Sequence, residues 1–188
     1  LSYYRKLLDF IIQEHFPSIA MNDSNRYLFK NVFDFRHFFS TVVSETANLV
    51  ALWMSVGFAH GGILTFVSCL IVGVCNTDNF SLLSITIDYG LFGFMESYDP
   101  NFVPNVSDDE RRCKIGNQEN LGLFNLNKLL QALKPLLDPR QKQLASQILE
   151  GYGERYYFQL LKTKLGLLGE NEDDNNLIVF LLQVSLLC

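Results

Sequence analysis

Apolar residues recur at helical spacing along most of this chain, and strict alternation marks one short stretch between the helical parts. Leu7, Leu8, Ile11 and Ile12 fall at one-, three- and four-residue steps, an amphipathic helix stopped by Pro17. Val43, Ala47, Val50, Ala51 and Met54 share one face of a longer helix that ends near Gly57, just before His60. Then the pattern changes: Leu83, Ile85 and Ile87 alternate with Ser84 and Thr86, and three of these five residues are β-branched. That reads as a short strand that delivers Asp88 to its end. The predicted fold class is mainly α with a small β element around residues 80–88.

Helical signals return further on. SYDPNFVPNVSDDERRCKIGNQEN is rich in Pro, Asn, Asp and Gly and reads mostly as loop, in which Tyr98-Asp99-Pro100 shapes a bend. Asn125 is a candidate cap for LNKLLQALKPLL. Asp138-Pro139 places an N-cap before a proline at the first helical position, opening RQKQLASQILEG. YYFQLLKTKLGLL is a further helix, with Gly166 or Gly169 near its stop. MNDSNR reads as a loop, the acidic run Glu170–Asp174 as a solvated turn, and LIVFLLQVSLL as a buried closing helix.

With 188 residues, 48% hydrophobic and 19% charged, the chain has the composition of one globular domain rather than a disordered segment. Its net charge of −5 comes without a basic stripe, so no nucleic-acid footprint is present. Cys69, Cys75, Cys113 and Cys188 form no Cys-x-x-Cys pair, and His15, His37 and His60 are not at zinc-ligand spacing from them. These cysteines read as reduced structural thiols of an intracellular protein. The chain opens on Leu rather than Met, which leads us to expect a fragment whose true N-terminus, with any targeting signal, lies upstream.

Three polar islands carry the chemistry: His60-Gly61, Asn76-Thr77-Asp78-Asn79 and Asp88-Tyr89-Gly90. Asn79 and Asp88 flank the short alternating stretch, and a tight loop can bring two such side chains to one point. An amide oxygen and a carboxylate are hard donors, the type that magnesium accepts alongside phosphate oxygens. Asp78, free of the metal, could accept a proton from an attacking hydroxyl. From spacing alone, turn and cap roles for all three residues are the more ordinary alternative. His60 reads as a structural hydrogen-bonder. Arg111 and Arg112 could approach a phosphate or form a solvated loop pair. Protein kinases use the same grammar, an Asp base and a metal-binding Asn seven residues after a His, then Asp-Phe-Gly. Here Asn79 is 19 residues after His60. Removing twelve, for example Gly62–Gly73, gives HGVCNTDN and restores the spacing.

That repaired string, continuing as NFSLLSITIDYGLFGFMESYDPNFVPNVSDDE, resembles the selenoprotein O family of protein adenylyltransferases (YdiU in bacteria). TANLVALWMSVGFAHG looks like the helix that leads the family into its catalytic loop, and the likeness continues through RRCKIGNQENLGLFNLNKLLQALKPLLDPRQKQLASQILEGY. The resemblance implies a protein-kinase-like C-lobe with the N-lobe missing, and transfer of AMP from ATP to Ser, Thr or Tyr hydroxyls of proteins. It implies Asp78 as general base, Asn79 and Asp88 as ligands of Mg2+ (or Mn2+), Asp88 also beside the nucleotide, and a structural place for His60 at the loop start. Mitochondrial residence is expected on the same ground. The sequence departs from the family at Arg111-Arg112-Cys113, where Gly-Arg-Tyr is usual, and at Leu91, where Pro is usual. Cys188 does not stand for the family's C-terminal selenocysteine.

On this reading residues 1–188 are a partial kinase-like domain, and residues 62–73 are an insertion in its catalytic loop. The uncharged run Gly61–Val74 is 14 residues long, against about 20 for a membrane-spanning helix, so no span is expected. A short core helix or strand is the competing reading of the run. Without an N-lobe little catalysis is expected of the chain alone. An inactive kinase-like interaction module, or a non-functional gene-model or splice product, are the alternatives.

Overall fold

The computed structural model describes residues 2–21, 32–60, 80–86, 93–97, 99–104, 111, 113–167, 173–174, 176–178 and 180. Among the described residues, α-helices run over Ser2–His15 (α1), Pro17–Met21 (α2), Val32–Ser55 (α3), Gln118–Leu133 (α4), Pro139–Glu150 (α5) and Tyr152–Lys164 (α6). Two short strands, Phe58–Ala59 (β1) and Gly93–Phe94 (β2), pair antiparallel with Phe58 opposite Phe94 and Ala59 opposite Gly93. The described residues are thus mainly helical, with one small two-stranded sheet. Among the described residues, no helix is long and apolar enough to cross a membrane.

The central element is α3. Phe35, Phe38, Phe39, Val42, Val43, Ala47, Val50 and Ala51 are each exposed by 1% or less, and they occupy more than one face of the helix. A helix apolar on several faces must be enclosed, and α3 packs against α4, α5 and above all α6. Each buried Phe contributes about 1.5–3 kcal/mol of apolar burial. Phe38 also meets Phe16 edge-on at 5.2 Å, which pins the α1–α2 corner to α3. Pro17 ends α1 as the sequence indicates: it cannot donate to the helix before it and becomes the first residue of α2.

Helix ends follow local chemistry. Gly57 closes α3 with φ of +68°, and Gly166 follows α6 with φ of +73°, a conformation that glycine adopts without steric cost. After α6, the Gly166 N–H bonds to the Thr163 carbonyl and the Leu167 N–H to that of Lys162, which satisfies two of the last carbonyls. The Asp138-Pro139 start is observed as read. The Asp138 carboxylate accepts the Gln141 N–H at 2.8 Å, and Gln141 Oε1 accepts the Asp138 N–H at 3.0 Å.

Four expectations are corrected. The strand through Leu83–Ile87 does not form over residues 83–86. Ser81 accepts the Leu83 N–H through its hydroxyl and the Ser84 N–H through its carbonyl, and Ser84 sits at φ of +52°. Alternation supplied the propensity but no partner strand, and Leu83 and Ile85 face solvent. The β element lies instead at residues 58–59 and 93–94. Asn125 caps nothing: it is buried inside α4, which already begins at Gln118, and its Nδ2 donates to the Leu121 carbonyl. The helix read from Tyr156 starts at Tyr152, whose ring is fully buried. Asp174 is not a solvated turn residue; it is buried, on helical backbone, and pairs with Lys162 at 3.1 Å.

Candidate functional site

The loop-bearing end of the molecule is organised by Trp53, two residues before the end of α3 and 5% exposed. Its ring stacks on His60 at 4.8 Å with an interplanar angle of 28°. It meets Phe80 edge-on at 5.9 Å and Phe58 at 5.8 Å. Its indole N–H donates to the Thr86 hydroxyl at 2.9 Å. One side chain therefore touches the residues on both sides of segment 61–79 and the end of segment 80–86.

Gln118, the first residue of α4, holds the same region from the other side. Its Oε1 accepts the His60 backbone N–H at 2.7 Å, and its Nε2 donates to the Phe58 carbonyl at 2.9 Å. Gln118 is 3% exposed, so these bonds form away from water, where an unpaired amide would cost most. They continue the β1 edge beyond its two residues. The other edge of β1 is paired with β2, and the Met95 N–H extends that pairing to the Gly57 carbonyl. His60 is buried at 5% exposure in this setting.

Asp78, Asn79 and Asp88 lie outside the described residues, as do the run 61–74, Leu91, Tyr98, Arg112, residues 22–26 of the MNDSNR loop, Glu170–Glu172, the other three cysteines and the last eight residues. The described chain neighbours of the three site residues are Phe80, next to Asn79, and Thr86, two residues before Asp88. Both meet Trp53. His60 and Phe80, the described residues on either side of segment 61–79, have ring centroids 6.5 Å apart. A mostly apolar cleft of about 310 Å³ opens beside Phe80, between α3 and α4, with Thr46, Ser81, Asn125 and Lys128 as its polar contributors. Among the described residues no cluster of three His, Cys, Asp or Glu could hold a metal.

Past the sheet, Asp99 shapes the bend as read, accepting the Asn101 N–H at 2.9 Å. Phe102 and Pro100 then accept the N–H groups of Ile115 and Gly116, which aligns the start of α4 and so Gln118. Arg111 is exposed, and Cys113 is buried. Beside Gln118, burial raises the Glu119 carboxyl above the usual range. Burial likewise pushes the Tyr152 hydroxyl up, helped by the nearby Glu119 carboxylate and Tyr156.

The sequence model of the family described as protein adenylyltransferase SelO matches residues 1–186. This chain belongs to that family. Its SelO-family relatives include the protein nucleotidyltransferase YdiU of Erwinia tasmaniensis, 39% identical over 182 residues, which covers 95% of this chain and 33% of the relative. YdiU of Pectobacterium carotovorum is 38% identical over 180 residues, covering 96% of this chain and 33% of the relative. YdiU of an Enterobacter species is 37% identical over 174 residues, covering 93% and 32%. The chain thus spans about a third of the length of the curated SelO-family relatives it matches.

Trp53, Gln118 and Thr86 were not singled out by the sequence reading of this SelO-family chain. Trp53 is its sole tryptophan and stands in the stretch TANLVALWMSVGFAHG, a usable signal that an apolar helix face obscures. Gln118 falls in a stretch read as loop, and nothing local marks its two long-range bonds.

Proposed function

We propose that this chain carries the catalytic loop of a protein adenylyltransferase, which moves AMP from ATP to Ser, Thr or Tyr hydroxyls of proteins with Mg2+ or Mn2+. In this reading the acceptor hydroxyl oxygen attacks the α-phosphorus of ATP, the bond from that phosphorus to the β-phosphate bridging oxygen breaks, and pyrophosphate leaves. Asp78 takes the hydroxyl proton. Asn79 and Asp88 would offer hard oxygen donors, a set that suits magnesium, and Asp88 would also lie beside the nucleotide. Bound there, the metal would neutralise charge on the phosphate oxygens. His60 and Phe80 carry no chemistry; they fix the ends of the loop.

The observation that carries the reading is the family match over residues 1–186, and the convergence of Phe80 and Thr86 on one indole supports it. The same reading makes the described residues part of a protein-kinase-like C-lobe and expects mitochondrial residence, which organelle fractionation tests. Residues 62–73 are an insertion on this view. Without them eight residue steps would separate His60 from Phe80. Fully extended they reach about 27 Å, ample for two rings 6.5 Å apart.

The test restores the portion of a family protein beyond this chain, removes residues 62–73, and follows transfer of α-phosphate label from ATP to protein. Asp88→Ala should abolish labelling. Asp78→Ala should slow it while nucleotide binding persists, since a base acts in the transition state. Undiminished labelling in both variants refutes the assignment. A labelling-competent, soluble protein that retains residues 62–73 in every transcript would refute the insertion.

A further inference from the structure

The cleft between α3 and α4 joins an apolar interior to a charged mouth. Val42 and Leu126, exposed by 1% and 3%, close its floor. Phe80, Leu82 and Leu129 form its sides; they pack against the core but are only partly buried. Lys128 lines the same cleft from an exposed position, with its ammonium 5.1 Å above the Phe124 ring. Among the described residues that ammonium has no carboxylate partner. We propose that the cleft binds a small amphiphilic anion, an unbranched apolar chain held inside and a carboxylate held at Lys128. Nothing in this site depends on the adenylyl-transfer chemistry.

Size, polarity and charge each narrow the occupant. A volume of about 310 Å³ lies at the small end of ligand pockets. A water-sized group takes about 30 Å³ in a liquid, so the space seats a chain of about ten carbons. Few polar groups line it: the Thr46 and Ser81 hydroxyls and the Asn125 amide, whose Nδ2 already donates to the Leu121 carbonyl. A sugar or a nucleobase would lose its hydrogen bonds to water there and regain too few. An apolar chain loses nothing and gains the burial. At the mouth, a lysine that rests its stem on apolar surface and keeps its head in water offers a charge-assisted donor to one carboxylate. Phe80 connects the cleft to the loop-bearing end, because its ring also meets Trp53 at 5.9 Å and His60 at 6.5 Å. Trp53, the sole tryptophan, therefore reports a chain seated against Phe80.

The experiment titrates decanoate into the 188-residue chain and reads both heat and Trp53 emission. One decanoate should bind per chain and shift the emission. A fully buried methylene is worth about fourfold in affinity. Octanoate should therefore bind about tenfold more weakly from an open cleft, and dodecanoate, whose last carbons reach solvent, no better than decanoate. Lys128→Glu changes only an exposed position and replaces attraction by repulsion. It should weaken decanoate about tenfold and leave decanol unchanged. Ala132→Phe should fill the cleft and abolish uptake, with circular dichroism reporting its fold. The chain-length series and Lys128→Glu carry the test if that variant does not fold. Absent binding, uptake of several equivalents with no optimum length, or equal decanoate affinity in Lys128→Glu overturns the proposal. Undiminished binding to a folded Ala132→Phe does the same. So does uptake that is lost once the portion of a family protein beyond this chain is restored, because polypeptide then covers the cleft.

Discussion

Alanine at Gly122 should destabilise the chain, and removing one oxygen on another helix should abolish most of that cost. Gly122 is buried in α4 where α3 and α6 also meet. A Cβ there would run into Tyr152 Oη, with Tyr152 Cζ at 3.2 Å and Val50 Cγ2 at 3.4 Å. The Tyr152 ring is fully buried, so the oxygen has nowhere to swing. Alanine is favoured over glycine in a helix interior by about 0.8–1.0 kcal/mol. Overpacking a closed site costs about 1–3 kcal/mol, and an overlap with a rigid ring belongs at the upper end, so the net loss should be about 1–2 kcal/mol. Tyr152→Phe alone should be neutral or stabilising by up to about 1 kcal/mol, because Oη is buried with no hydrogen-bond partner among the described residues. In the Tyr152→Phe background the remaining contacts need only small adjustments, and Gly122→Ala should fall within about 0.5 kcal/mol of neutral. The coupling between the two sites is then about 1–2 kcal/mol. Urea unfolding of the four proteins, followed by far-ultraviolet circular dichroism, measures it. For a chain of this size 1 kcal/mol also moves Tm by about 2–4 °C. Gly122→Ala that costs the same in both backgrounds, or that stabilises the wild type, would refute the reasoning.

Other outcomes are expected from the same geometry. Asp138→Ala removes the carboxylate that accepts the Gln141 N–H in the capping box at α5 and should cost about 1 kcal/mol in urea unfolding. Asp174→Asn breaks the ion pair with Lys162, whose side chains are 16% and 10% exposed, and should cost about 2 kcal/mol; unchanged stability would show that the pair is idle. Glu119 has its carboxyl pKa raised by burial, so the folded chain holds more protons than the unfolded one from about the ordinary value of 4.5 upward. Its contribution to stability therefore falls as pH rises through that window, and Glu119→Gln should flatten the fall in urea midpoints measured from pH 4 to 7. Trp53 is the sole tryptophan, so Mn2+, a paramagnetic quencher, should lower its emission in the wild type and not in Asp88→Ala.

Sequence by itself determined the parts that depend on near neighbours. The apolar spacing of Val43 to Ala51 defined α3, Pro17 ended α1, Asp138 with Pro139 opened α5, and Gly57 and Gly166 closed two helices, each because backbone and side-chain preferences act within a turn or so. The strings around Asp78, Asn79 and Asp88 were legible in the same way and led to the SelO family. Where contacts span many residues, only the tertiary structure decided. Alternation at Leu83–Ile87 expresses a propensity, but a strand needs a partner, and pairing joined residues 58–59 to 93–94 instead. Asn125 has a capping side chain, yet α4 had already begun at Gln118. Asp174 reads as one charge in an acidic run until Lys162 is brought against it. Trp53 is an apolar helix residue in one dimension; it becomes a meeting point for His60, Phe80 and Thr86 because the fold brings them to one indole, and its bond to the Thr86 hydroxyl, 33 positions away, is one that no local pattern encodes.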